Sequence, residues 1–305
     1  MRTTTIAHTV LAMLLLAMPL KGTAQQPSLP EQELRLRTLL DSMAQHPSYS
    51  GRDSLNATFL RLFEQAIRQP SAFEHPFDSL THMGRLRSDD GRVRLFTWNI
   101  PQADGSQRFF GFVLHRPSKR GPHTTTALHD RADSIARELQ TKAQLTASSW
   151  FGALYYQIVT VPHKSRPHYL LLGYRPSGLF VARKVVDPLT FSASGAPVFG
   201  LPVFEVDGKQ QLQRIVFEFS ARASMLLRYE PKQHLLVFDH LSPSAPRLAG
   251  NPQFYGPDFS YDGFRLDKAT WRYVRDLDMR NPASPHRGAR PSSDPPFVYE
   301  RNYKR

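Results

Sequence analysis

The feature that most constrains the fold of this chain is a change in its hydrophobic period near residue 92. Before that point, apolar residues recur at the three- and four-residue spacing of amphipathic helices. After it, apolar and polar residues alternate as they do in strands, with turn residues in between. Because helices followed by a long run of strands do not match βαβ winding, we predict an α+β protein that is mainly β.

The helical region is predicted to occupy residues 25–90. Ser28 and Glu31 have the S-x-x-E spacing of a capping box, which predicts a first helix beginning there and ending before Pro47. A second apolar stripe ends before Pro70 and predicts a second helix. A third, shorter helix is predicted over residues 71–80. These amphipathic faces are expected to pack on the parent fold.

The strand-rich region is predicted to occupy residues 91–280, with one inserted helix at about residues 127–140. Asp104-Gly105 indicates a hairpin between two early strands. Strands with turns every 8 to 12 residues favour an antiparallel meander, a sandwich or a partly closed barrel. Near residue 215 the sequence predicts a strand whose Phe face is buried and whose other face, carrying Arg214 and Glu218, is wetter.

The first 24 residues are predicted to be a signal peptide. An apolar run from Val10 to Leu20 is shorter than the about 20 residues that a membrane-spanning helix needs. Gly22 and Ala24 are the small residues expected before a cleavage site. We therefore expect an exported protein, in the periplasm or outside the cell, with cleavage after Ala24. No later stretch has the length of a transmembrane span.

The charge and the missing cysteines limit the classes of partner and chemistry. The chain has no cysteine, which excludes disulfides and thiolate chemistry, and its formal net charge is +13. This charge favours anionic envelope components as partners, or another envelope protein, and the alternative is that it serves solubility alone. Nucleic acid is not expected, because no binding motif and no long basic run accompany the charge. Residues 281–305 are proline-rich and predicted to form a disordered basic tail. No signal for an oligomeric state is present.

The motifs of common catalytic and cofactor sites are absent from the sequence. It has no G-x-x-x-x-G-K-[ST], no G-x-G-x-x-G and no H-E-x-x-H. It also has no G-x-S-x-G nucleophile elbow. The twelve histidines show no metal-ligand spacing. We therefore predict neither a cofactor nor a metal site.

The densest cluster of polar and aromatic residues is the segment Phe238–Phe264, which we interpret as a long loop. Two interpretations of its polar residues are open. Carboxylates beside aromatic rings can bind sugars or act as acid–base pairs, and an aspartate can orient a histidine. Alternatively, the aspartates cap turns of a loop that packs its own aromatics. If the loop is catalytic, four side chains are expected to converge on one cleft: Asp239, His240, Asp258 and Asp262.

At the level of whole segments, the strand-rich part resembles an uncharacterised family of exported Bacteroidota proteins. The resemblance rests on WFGALYY at Trp150–Tyr156, on Ile215–Tyr229, on LLVFDHLSP at Leu235–Pro243 and on FYGPDFSYDGF at Phe254–Phe264. It implies export and a common β fold, and it carries no established activity. The sequence therefore favours a non-enzymatic envelope-associated binding or scaffolding protein. The alternative is a periplasmic hydrolase of glycan-like substrates that uses the segment Phe238–Phe264.

Overall fold

The structure is a computed structural model that describes residues 27–118, 120–162, 167–208 and 210–279. The predicted signal peptide, residues 1–24, and the predicted tail, residues 281–305, lie outside the described residues. Within the described ranges the protein is α+β and mainly β, as predicted, with two N-terminal helices followed by antiparallel sheets.

The two helices are α1 (Leu29–Gln45) and α2 (Tyr49–Ile67). The capping box at the start of α1 is present, and the Ser28 N–H donates to Glu31 Oε2 at 2.8 Å. The prediction of a third helix over residues 71–80 is wrong. Only a short 3₁₀ turn forms there, at Pro70–Phe73. Pro76 lacks an N–H and restricts the residue before it, so a helix does not continue through this segment.

In the described ranges, sixteen strands follow the two helices. They are β1 (Gly84–Arg87), β2 (Val93–Pro101), β3 (Gln107–His115), β4 (Thr124–His129), β5 (Leu145–Thr146), β6 (Leu154–Val161), β7 (His168–Pro176), β8 (Val181–Phe191), β9 (Pro197–Phe199), β10 (Phe204–Val206), β11 (Gln210–Leu212), β12 (Ile215–Ser220), β13 (Leu227–Glu230), β14 (Leu235–Pro243), β15 (Tyr255–Asp267) and β16 (Thr270–Val274).

These strands form three sheets. The first sheet has the order β1-β2-β3-β4. The middle sheet has the order β5-β9-β8-β7-β6, and β12 pairs with the first half of β8. The outer sheet has the order β11-β10-β16-β15-β14-β13. All strand pairs are antiparallel except β10 with β16, so most neighbours in a sheet are joined by hairpins.

The helices and sheets stack as four layers. Phe63 of α2 packs against Phe96 and Phe112 on one face of the first sheet. Residues of opposite parity on that sheet, such as Leu95, pack against the middle sheet. The other face of the middle sheet packs on the outer sheet, where Phe217 contacts Phe238. Because successive strand residues point to opposite faces, each inner sheet supplies two cores.

The middle sheet is therefore buried on both faces, which corrects the prediction of a wetter face on β12. Ile215, Phe217 and Phe219 lie in the core against the outer sheet, as expected. Arg214 and Glu218 on the opposite face are also buried. The first sheet covers that face. The alternation of apolar and polar residues within one strand does not show whether a further sheet packs on its polar face.

The helix predicted at about residues 127–140 is also wrong. The first part of this range belongs to β4, which pairs along β3 from Thr124 opposite His115 to His129 opposite Phe110. The rest forms two short 3₁₀ turns, Ala132–Ser134 and Arg137–Leu139. Pairing with an existing strand satisfies the backbone of β4, so tertiary context overrides the helical spacing of the apolar residues.

Candidate functional site

The segment Phe238–Phe264 is mostly strand, so its interpretation as one long loop is wrong. β14 and β15 pair from Leu235 opposite Arg265 to Pro243 opposite Tyr255. Only residues 244–254 connect them, with two short 3₁₀ turns. Phe238 and Phe264 lie in the core between the middle and outer sheets.

A β-bulge in the pairing of β14 with β15 determines where the polar residues lie. Asp239 lies opposite Tyr261 and Leu241 opposite Pro257, so the single residue His240 faces the three residues 258–260. Phe259, at the centre of the bulge, has φ = 69° and its side chain is 96% exposed. A bulky residue in the left-handed region is uncommon, and bulges frequently lie beside functional sites.

His240 and Asp262 form a buried pair on the inner side of the bulge. His240 Nδ1 lies 2.7 Å from Asp262 Oδ2. The same carboxylate accepts from the Tyr273 hydroxyl at 2.5 Å and from the Asp276 N–H at 3.1 Å. Burial acts to lower the pKa of His240, but the hydrogen bond with Asp262 and the charges of Asp262, Asp258 and Asp276 outweigh it and raise the pKa.

Asp258 lies on the other side of the His240 ring and is partly exposed. Its Oδ2 accepts from the Ser242 hydroxyl at 2.8 Å and lies 3.9 Å from His240 Nε2. Its Oδ1 accepts from the hydroxyl and the N–H of Ser260. Burial acts to raise the pKa of Asp258, but the hydrogen bonds from Ser260 and Ser242 outweigh it and lower the pKa. We call His240, Asp258 and Asp262 the groove-side cluster.

Asp239, the fourth predicted residue, is held apart from this cluster. It accepts a hydrogen bond from the Leu226 N–H at 2.7 Å, at the start of β13. Burial raises the pKa of Asp239, although this hydrogen bond and the charge of Lys184 act in the opposite direction. The structure thus brings together three of the four predicted side chains, and the fourth satisfies a backbone group instead.

A groove opens beside Asp258 between the ends of the middle and outer sheets. Its volume is about 700 Å³, and it is bounded by the β7–β8 turn, the β12–β13 connection and the β14–β15 connection. Its lining residues are Leu179, Phe180, Ser220, Arg222, Ala223, Ser242, Pro243, Ser244, Gln253, Phe254, Tyr255, Gly256, Pro257 and Asp258.

The groove is rimmed by apolar side chains that the core does not use. Leu179 is 69% exposed and Phe180 is 62% exposed, and Phe254 is also exposed. Neither Leu179 nor Phe180 stands out in the sequence as a site residue. The available signal was an adjacent apolar pair directly after the turn at Gly178, because only one of two neighbouring strand residues can face the core.

A second polar cluster, which sequence reasoning missed, lies between the first and middle sheets. Arg214 Nε contacts Asp187 Oδ1 at 2.7 Å, and both side chains are fully buried. The Tyr155 hydroxyl donates to Asp187 Oδ2 at 2.9 Å, and Trp150 Nε1 donates to the Tyr155 oxygen. We call Tyr155, Asp187 and Arg214 the inner ionic cluster. A complete sheet covers this cluster on each side, so we interpret it as a cluster that stabilises the fold.

Within the described residues, no group of three or more histidine, aspartate or glutamate side chains has an arrangement that could hold a metal ion. None of the helices in those ranges is long and apolar enough to cross a membrane.

Comparisons with protein-family models, curated proteins and solved structures found no match to this chain. The resemblance of the strand-rich part to exported Bacteroidota proteins therefore stays a prediction. The candidate site is interpreted from its own geometry.

Proposed function

We propose that this protein is an exported, envelope-associated binding protein that holds its ligand in the groove without chemical conversion. The observation that carries this proposal is the apolar rim of the groove. Leu179, Phe180 and Phe254 remain exposed beside a concave surface of about 700 Å³. Concave sites of roughly 300–1,000 Å³ with apolar walls and a few polar groups are the usual form of small-ligand sites.

The arrangement of the carboxylates supports binding over hydrolysis. A glycosidase needs two carboxyl groups that flank one bond of the substrate, one of them with a raised pKa. Asp258 lines the groove, but its pKa is lowered. Asp262 is enclosed by His240 and Tyr273. Asp239 is tied to the β13 backbone. None of the three therefore has the combination of position and protonation that the hydrolase alternative requires.

The net charge supports association with an anionic envelope surface. Cleavage after Ala24 removes Arg2 and Lys21 and leaves a formal net charge of +11. This charge attracts the protein to an anionic surface over about 8–10 Å at ordinary ionic strength. This attraction raises the local concentration of the protein near acidic lipids and glycans and selects no particular ligand. In this proposal the charge places the protein at the envelope and the groove provides selectivity.

The proposal is tested by retention of the purified mature chain on washed envelope fragments of the producing bacterium. The double variant Leu179→Ser with Phe180→Ser removes two groups of the apolar rim. We expect it to reduce the retained fraction about tenfold, which corresponds to about 1.4 kcal/mol. Leu34→Ser is the matched control, because Leu34 is 56% exposed on α1, in the helix layer.

Two results would contradict the proposal. One is equal retention of the wild type and the double variant. The other is release of soluble envelope fragments, detected by mass spectrometry, at a rate that depends on Asp258. The folded state of each variant is checked by its thermal unfolding curve before the retention is compared.

A further inference from the structure

Most residues that line the groove are uncharged, and its two charged side chains, Arg222 and Asp258, have opposite signs. Charged residues make up 21% of the chain. The β14–β15 connection and its flanks, residues 242–257, contain one charged side chain, Arg247, and residues 176–181 contain none. Depletion of charge together with exposed aromatic rings is typical of the centre of a recognition surface. A ligand with several charges of one sign therefore finds at most one lining side chain of opposite charge.

The groove nevertheless offers several hydrogen-bonding groups that the fold does not use. The side chains of Arg222, Ser244 and Gln253 line it and make no hydrogen bond or ion pair with any residue in the described ranges. An ionised carboxylate can accept about four hydrogen bonds. Asp258 accepts three from Ser242 and Ser260, which leaves a lone pair of Oδ2 for a ligand.

These groups exclude most other occupants. A purely apolar peptide or lipid chain would remove the polar lining from water without pairing it, at a cost of about 1–3 kcal/mol for each group. A ligand with several acidic groups has one possible partner, Arg222, and is repelled by Asp258, and a ligand with several cationic groups meets the reverse situation. The remaining class is uncharged, rich in hydroxyl groups and able to place an apolar face on a ring.

We propose that the groove binds a neutral carbohydrate. An apolar ring face of the sugar packs on Phe180 and Phe254, while its hydroxyl groups donate to Asp258 Oδ2 and pair with Gln253 and Arg222. The Tyr255 hydroxyl accepts from the Gly250 N–H at 3.0 Å and holds the β14–β15 connection in place, so this wall of the groove is preformed. This inference rests on the proposed function, because it names the ligand class of the same groove.

The test is calorimetric titration of the purified mature protein with a panel of neutral oligosaccharides. The panel contains α- and β-linked glucose, mannose and N-acetylglucosamine oligomers, with polygalacturonate and a leucine-rich peptide as comparisons. We expect at least one neutral oligomer to bind, with an affinity that is unchanged between about 50 and 500 mM salt, because no ion pair forms. Phe254→Ala and Asp258→Asn are each expected to weaken this binding about tenfold or more. Leu34→Ala is expected to leave it unchanged.

The inference is overturned if no neutral oligomer binds, or if the groove substitutions leave such binding unchanged. It is also overturned if polygalacturonate or the peptide binds in preference to the neutral panel. These failures are distinguishable from failure of the proposed function. Envelope retention that depends on Leu179 and Phe180 but persists without any carbohydrate binding would leave the proposed function standing and remove only the ligand class.

Discussion

The inner ionic cluster and the groove-side cluster are built on the same plan. In each, a buried aspartate contacts a basic side chain at 2.7 Å and accepts a hydrogen bond from a tyrosine hydroxyl. Tyr155 donates to Asp187 in the inner cluster, and Tyr273 donates to Asp262 in the groove-side cluster. The difference is what lies beyond the basic partner. Arg214 is fully buried, whereas His240 is followed by the partly exposed Asp258 at the groove.

The two clusters contain similar residue types, and their position among the layers is what distinguishes them. The middle sheet has a sheet on each face, so a polar group there must be paired internally or destabilise the protein. The groove-side cluster lies where the ends of the middle and outer sheets leave a groove, so Asp258 at its edge is partly exposed. Substitutions in the two clusters test this difference, and the one expected to reduce stability most comes first.

The largest effect is expected for Arg214→Met. It removes one partner of a fully buried pair and leaves the charge of Asp187 with only the Tyr155 hydroxyl, so the free energy of unfolding should fall by about 3–5 kcal/mol. Urea denaturation measures this change. Replacing both partners, with Arg214→Met and Asp187→Leu, is expected to recover a large part of the loss. A loss below about 1 kcal/mol in the single variant would contradict this prediction, because it would show that buried Asp187 does not need Arg214.

The second prediction makes the same substitution in both clusters. Tyr155→Phe removes the hydroxyl that donates to Asp187 and accepts from Trp150, so it should cost about 1–3 kcal/mol. Tyr273→Phe leaves Asp262 with His240 and a backbone N–H, so it should cost about 0.5–1.5 kcal/mol. Denaturant curves of the two variants provide the comparison. A larger loss of unfolding free energy for Tyr273→Phe than for Tyr155→Phe would contradict the proposed dependence of stability on layer position.

The third prediction concerns pH. Because the pKa of His240 is raised in the folded state, its protonation stabilises the protein. This contribution is fully present below the unfolded pKa of about 6.5 and is lost as the pH rises through the folded pKa. The difference in unfolding free energy between the wild type and His240→Gln should therefore decrease as the pH rises above about 6.5. The difference between the wild type and Leu34→Ala should show no step there, because that substitution changes no ionisable group. A difference for His240→Gln that is constant across this pH range would contradict a raised pKa of His240 in the folded state.

The smallest effect on stability is expected for Asp258→Asn. Its side chain is 33% exposed, and an exposed carboxylate contributes about 0–1 kcal/mol. Because its pKa is lowered by folding, this contribution is present above the unfolded pKa of about 3.9 and is lost as the pH falls through the folded pKa. The variant should thus unfold almost like the wild type at pH 7 while ligand binding is weakened. A loss as large as that of Arg214→Met would place Asp258 among the structural residues.

The candidate site was partly predictable. Asp258, His240 and Asp262 stood out because polar residues cluster among aromatics in one segment, and the structure brings these three together. Asp239 stood out for the same reason, but its place in the strand puts it against the β13 backbone. Leu179 and Phe180 were overlooked because an apolar pair in a strand is normally core. Their exposure depends on where the outer sheet ends, which no local pattern records.

The sequence was sufficient to predict the two N-terminal helices and the change to strands near residue 92. The capping box at Ser28 and the change of period near residue 92 act over one or two turns of chain, so they are readable without a partner. The stacking of three sheets, the dry setting of Arg214 and the bulge that aligns His240 with Asp258 were decided only by the tertiary structure. The physical reason is that burial and register depend on strands far apart in the chain, whose contacts do not exist until the layers assemble.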